Sequence, residues 1–198
     1  QGWGSYNQDL LSEGGGIFSR HAKTIKLTPQ VQEMLGVLED ELPPESIVRL
    51  LLRLDVDLLW NGGIGTYVKA SHETHLDAGD PSNDMLRIDA QELRVKIVGE
   101  GGNLGFTQNG RTEFALNGGR INTDAIDNSG GVDMSDHEVN LKILLNPLVQ
   151  SGKLSLEDRN SLLENMTEEV AQMVLNNNDT HAKQLSLDKI RSEEDPLR

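Results

Sequence analysis

Three short apolar runs constrain this chain most, because each leads into glycine beside asparagine. "VDLLW" (56–60) runs into Asn61-Gly62-Gly63, and "LRVKIV" (93–98) into Gly99-Glu100-Gly101-Gly102-Asn103. "GRINT" (119–123) leads to Asn128-Ser129-Gly130-Gly131. Apolar runs bounded by turn residues read as strands, and helical patterns lie between them. Strands alternating with helices predict an α/β fold, a mostly parallel sheet with crossover helices on its faces. Ligands of such sheets sit at the carboxyl ends of the strands. Three ends carrying asparagine and paired glycines would therefore line one edge of the sheet.

The rest of the chain fills in around these runs. "GIFSR" (16–20) is a short strand candidate. Residues 27–36 read as a helix with Thr28 as N-cap, Pro29 in the first turn and Gly36 as its stop. The apolar spacing over 43–54 predicts a largely buried helix. Residues 70–92 are polar and irregular, with Asp80-Pro81 as a helix start; 107–117 and 133–150 read as helices. From 151 the character changes: Ser155 caps an amphipathic helix running to about Val174, and an Asn-rich break leads to a further helix. The expected organisation is an α/β region over 1–150 and a helical segment over 151–198.

Composition removes whole classes of function. A net charge of −14 leaves no basic stripe for phosphates, so neither nucleic acid nor an anionic membrane is an expected partner. With no cysteine there is no disulfide or thiolate metal site. No apolar run approaches the ~20 residues of a membrane span, and the N-terminus has no signal-peptide core. A cytoplasmic location is expected. "QGWGSYNQDL" reads as an internal start, so a piece of a longer chain is expected.

Several motifs admit more than one reading. Gly99 to Gly105 resembles a dinucleotide turn, but Glu100 would repel pyrophosphate; a plain turn or another ligand-facing role stays open. Ser135-Asp136-His137-Glu138 is a capping-box pattern. The glycine pair before it could offer amides to an anion. His72-Glu73-Thr74-His75 lacks the spacing that puts two imidazoles on one helical face, so it reads as a solvated loop, and no metal site is expected. No pairing of nucleophile and base is evident.

Beyond these local readings, Leu11 to Arg20 ("LSEGGGIFSR"), "VDLLWNGGIGTYVKAS" (56–71) and residues 98–146 resemble the large-subunit bacterial NAD-dependent glutamate dehydrogenases. The resemblance is nearly continuous over residues 9–146. It implies a Rossmann-like cofactor domain, of which 1–150 would be the second half, with NAD as cofactor and L-glutamate and 2-oxoglutarate as substrate and product. Asn61, Gly62, Gly63, Gly101, Gly102, Asn103 and Asn128 would contact the cofactor on its nicotinamide side, and Asn128, Gly131, Val132 and Ser135 the substrate. The Ser135 hydroxyl would help to bind the side-chain carboxylate of glutamate. The full-length enzyme is expected to be a homo-oligomer.

There are departures too. No segment matches the family's catalytic lysine and aspartate or its first glycine-rich turn, so no catalytic residue is expected here and the chain alone should catalyse nothing. Ser129 and Gly102 stand where the wider superfamily often has alanine. The alternatives are another amino-acid dehydrogenase, disfavoured by Ser135, or a non-catalytic regulatory or assembly domain of the same fold.

Overall fold

The computed structural model describes residues 3–194. It divides into two units, each built from separate stretches of chain. The first comprises Gln1–Trp60, Ile64–Gly99 and Leu104–Ile121; the second comprises Asn61–Gly63, Glu100–Asn103 and Asn122–Arg198.

In the first unit β1 (Ile25–Lys26) pairs antiparallel with β2 (Glu41–Leu42) around helix α1 (Pro29–Leu35). The Thr28 side chain caps α1, Pro29 lies in its first turn, and Gly36 ends it at φ +69°, where glycine pays no Cβ penalty. Helix α2 (Pro44–Leu52) follows, and its apolar face is only partly covered: Pro44 alone is buried. The expectation of a largely buried helix is corrected accordingly. β3 (Leu58–Asn61) is the strand expected from "VDLLW".

The segment expected to be irregular is more ordered than its polarity suggested. It contains β4 (Val68–Lys69), α3 (His75–Ala78), a 3-10 turn at Pro81–Asn83 and β5 (Ile88–Asp89), with β4 and β5 parallel. Its organiser is Arg87, whose side chain is wholly buried. Arg87 donates to the Thr66 carbonyl (2.8 Å), the Asp80 carbonyl (2.6 Å) and the Asp84 carboxylate (2.6 Å). An arginine fork can satisfy several acceptors from one point, so it replaces regular pairing here.

β6 (Ile97–Glu100) lies between β3 and β7 (Arg120–Ile121), and β6 runs parallel to β7 with Val98 opposite Ile121. The strand begins at Ile97 and not at Leu93, because a 3-10 turn at Ala90–Glu92 occupies its approach. Helix α4 (Gln108–Leu116), capped by Thr107, precedes β7 as expected. Val68, Ile88, Ala90, Val95, Val98, Phe106 and Phe114 form the core of this unit. Truncating either phenylalanine to alanine would cost about 3–5 kcal/mol. Residues 16–20 form no strand; the Phe18 ring folds back over Gly16 and remains half exposed.

The second unit is helical beyond its two loop segments: α5 (Asp124–Asp127), α6 (Asp133–Gln150), α7 (Leu156–Asn165) and α8 (Thr167–Glu194). Ser155 caps α7 as expected. The helix break falls at Met166, not at the Asn-rich stretch, and α8 runs straight through Asn176-Asn177-Asn178. Asparagine is a weak helix former. Here, however, Asn177 and Asn178 make tertiary hydrogen bonds that offset the propensity cost.

Candidate functional site

Asn61–Gly63, Glu100–Asn103 and the turn at Asn128–Gly131 all belong to the second unit. Asn61 accepts a hydrogen bond from its own Gly63 amide at 3.3 Å, an Asx-type turn that carries the chain out of β3. The backbone of this turn meets the one that follows β6. A Cβ on Gly102 would lie 2.2 Å from the Gly63 carbonyl oxygen, so only glycine fits this loop geometry. The small residue there is therefore a requirement of close backbone approach, not a neutral exchange for alanine.

The third turn is tied to the second by side chains. Asn128 Nδ2 donates to Asn103 Oδ1 at 2.6 Å. The Glu100 amide donates to Asp127 Oδ2 at 3.1 Å, and Asn122 Nδ2 donates to Asp127 Oδ1 at 3.2 Å. Glu100 is fully buried, so its carboxylate does not face outward from the glycine loop. Asp127 is the fastener that sequence reading missed. A carboxylate next to Asn128 was visible in the sequence, but nothing local signalled that it would reach the β6 end.

The turn from Asn128 to Asp133 uses several of its amides internally. Gly131 and Val132 both donate to the Asn128 carbonyl at 2.9 Å, and Met134 donates to the Ser129 carbonyl at 3.0 Å. Of the glycine pair, the Gly131 amide is thereby taken up within the turn. The capping box is corrected. α6 starts three residues earlier than that pattern requires, after Val132, whose side chain makes no cap. Ser135 therefore sits exposed within the first turn, and Glu138 pairs with Lys142 one turn on. The Lys142 ammonium holds the Glu138 carboxyl below its usual range. Val132 is half-buried just before the helix.

The structure thus joins Gly63 to Gly102 and Asn103 to Asn128, while Ser135 stands on the helix turn without a hydrogen bond to these groups. Their common character is chemical: neutral amides and bare backbone, with the nearby carboxylates buried or engaged.

Two features lie outside this cluster, in the first unit. A groove of about 880 Å³ includes Arg94, Asn109, Glu113 and Gly119 in its lining, and none of the strand-end residues lines it. The His72–His75 segment is structural. Glu73 accepts from Ala70 N–H (2.8 Å), Thr107 (2.5 Å) and Asn109 (2.9 Å), and Thr74 and Asp77 form a capping box for α3. Among the described residues no cluster of histidine and carboxylates has the form of a metal site. No described helix is long and apolar enough to cross a membrane.

A mixed α/β protein with parallel strand pairing, flanking helices and glycine–asparagine strand ends is the class these features define. The family "Bacterial NAD-glutamate dehydrogenase, catalytic domain" matches residues 1–188, and the chain belongs to that family. It is 55% identical over 192 residues to the NAD-specific glutamate dehydrogenase of Pseudomonas aeruginosa, covering 97% of this chain and 12% of that protein. The proteins of the same name from Halomonas elongata and Mycobacterium tuberculosis are 54% and 53% identical over 190 and 183 residues. These matches cover 96% and 89% of this chain, and 12% and 11% of those relatives. The chain spans about an eighth of the length of the curated relatives it matches.

Proposed function

We propose that this chain is the second half of a Rossmann-like cofactor domain, over residues 1–150, with a helical segment over 151–198. Its parent enzyme would oxidise L-glutamate to 2-oxoglutarate and ammonium, with NAD⁺ accepting the hydride from the α-carbon. Family membership supports the reaction and the cofactor. The observation that carries the site is the packing of Gly63 on Gly102 and the Asn103–Asn128 hydrogen bond, which gather the strand-end turns.

The residues fit one part of the cofactor better than another. Pyrophosphate wants unpaired amides or a cation. This cluster instead offers asparagine side chains, which both donate and accept, beside backbone without side chains. Such a surface suits the flat ring and carboxamide of nicotinamide, a pyridinium in NAD⁺ that becomes neutral once it has taken the hydride. Asn61, Gly62, Gly63, Gly101, Gly102, Asn103 and Asn128 would hold and orient that ring. Asn128, Gly131, Val132 and Ser135 would border the amino acid, with the exposed Ser135 hydroxyl reaching the distal carboxylate. A hydroxyl there discriminates against apolar amino acids, which leave it unpaired. Proton transfer is assigned to groups outside this chain.

The test is NAD⁺ titration of the full-length enzyme and its Asn103→Ala variant. Loss of an amide contact worth about 1 kcal/mol should weaken binding roughly fivefold. Unchanged affinity would remove Asn103 from the cofactor site.

A further inference from the structure

The helix that follows the site grips it from behind. Ser129, with only 7% of its surface exposed, accepts a hydrogen bond from Asn178 Nδ2 at 2.7 Å. Asp133 accepts one from Asn177 Nδ2 at 2.9 Å. Ser129 and Asp133 bracket Gly130-Gly131-Val132, and the two asparagines are consecutive residues 44 and 49 positions further along the chain. Neighbouring residues on a helix project about 100° apart. They can therefore fix two points of a turn at once.

Stability alone does not account for this arrangement. Asparagine disfavours a helix interior, and the contact leaves polar atoms unmatched. Asn178 Oδ1 is buried with no hydrogen-bond partner among the described residues. So is His137 Nε2, which lies 3.5 Å from Asp133 Oδ1. A segment serving only to cover the turn would do better with apolar side chains. What the polar pair adds is a defined orientation, since hydrogen bonds are directional where apolar contact is not.

We propose that Asn177 and Asn178 are positioning residues: α8 fixes the angle at which the Asn128–Ser135 turn meets the amino-acid substrate. The inference rests on the reading of that turn as substrate-facing. It makes the helical segment a part of the site and not an appendage.

The test is a double-mutant cycle in the full-length enzyme with Ser129→Ala, Asn178→Ala and the pair, alongside Asn103→Ala. Each single variant should raise the KM for glutamate three- to tenfold with kcat within about twofold, and the double variant should be no worse than either single. In the cofactor-free enzyme, Asn178→Ala should speed amide exchange at Gly131 and Val132 at least fivefold, because their turn is released. If Asn103→Ala weakens NAD⁺ while Asn178→Ala leaves KM and exchange unchanged, the positioning role is wrong and the site reading stands. A shift confined to the unfolding midpoint, or KM effects that multiply in the double variant, would also overturn it. If Asn103→Ala too is silent, the site reading fails and this inference goes with it.

Discussion

Glu73 shows what a single side chain can hold together. Its carboxylate takes hydrogen bonds from Ala70, Thr107 and Asn109, the last 36 residues away in sequence. Burial alone would raise its pKa, but the bonds from Thr107, the Ala70 amide and Asn109 outweigh burial and lower it. A depressed folded-state pKa means stability present above the ordinary glutamate value and lost as pH falls through the folded one. Glu73→Gln keeps one acceptor oxygen and replaces the other with a donor, so at neutral pH it should cost about 1–3 kcal/mol. The gap to the unsubstituted chain should close in acid below the ordinary value of about 4.3, once Glu73 itself is protonated. Urea midpoints of both chains across pH would check this. A gap that stays constant into acid would mean that the charge is not the source of the stabilisation.

At the scale of elements, α8 shows why propensity is a weak guide. Asn176 is exposed, and among the described residues its hydrogen bonds outside the helix backbone ladder are to Gln172 and Thr180 on its own helix. Asn176→Ala should raise stability by a few tenths of a kcal/mol, because alanine is the better helix former. Asn177→Ala gains the same propensity yet strips Asp133 of its donor, so it should lose about 1 kcal/mol. Urea midpoints moving in opposite directions would bear this out; two stabilised variants would deny Asn177 its tertiary role. The contrast explains what the sequence disclosed. Thr28, Thr107 and Ser155 cap helices through amides three residues away, so their elements were legible locally. So were the apolar runs at β3 and β6, and the glycines and asparagines that end them. The order of the Asn-rich stretch and that imposed by Arg87 depend on partners 21 to 49 residues away, while at 16–20 the Phe18 ring folds back over Gly16. The start of α6 was misread for a related reason. Ser-x-x-Glu fits a capping box, but the hydrogen bonds to the Asn128 and Ser129 carbonyls begin the coil before Ser135 can cap it.

For the molecule as a whole, the surface carries two opposed signals. Val139, Ile143 and Leu144 on α6 are 50%, 64% and 67% exposed, and 139 and 143 are one turn apart. Exposed apolar patches on a soluble chain mark surfaces that prefer to be covered. The relatives are roughly eight times longer, with ample chain to cover them. Against this stands a net charge of −14, which keeps like copies apart. Salt screens that repulsion, since the Debye length falls from about 10 Å at 0.1 M to about 3 Å at 1 M, while apolar association survives. The isolated chain should therefore sediment mainly as a monomer at low ionic strength and associate as salt rises. Ile143→Ser with Leu144→Ser should keep it monomeric at both, and changes at such exposed positions should shift stability by no more than about 0.5 kcal/mol. A chain that stays monomeric at every salt concentration would show that this face is tolerated in water. Association that persists in the double variant would assign it to another surface, and the apolar stripe of α6 would then carry no driving force of its own.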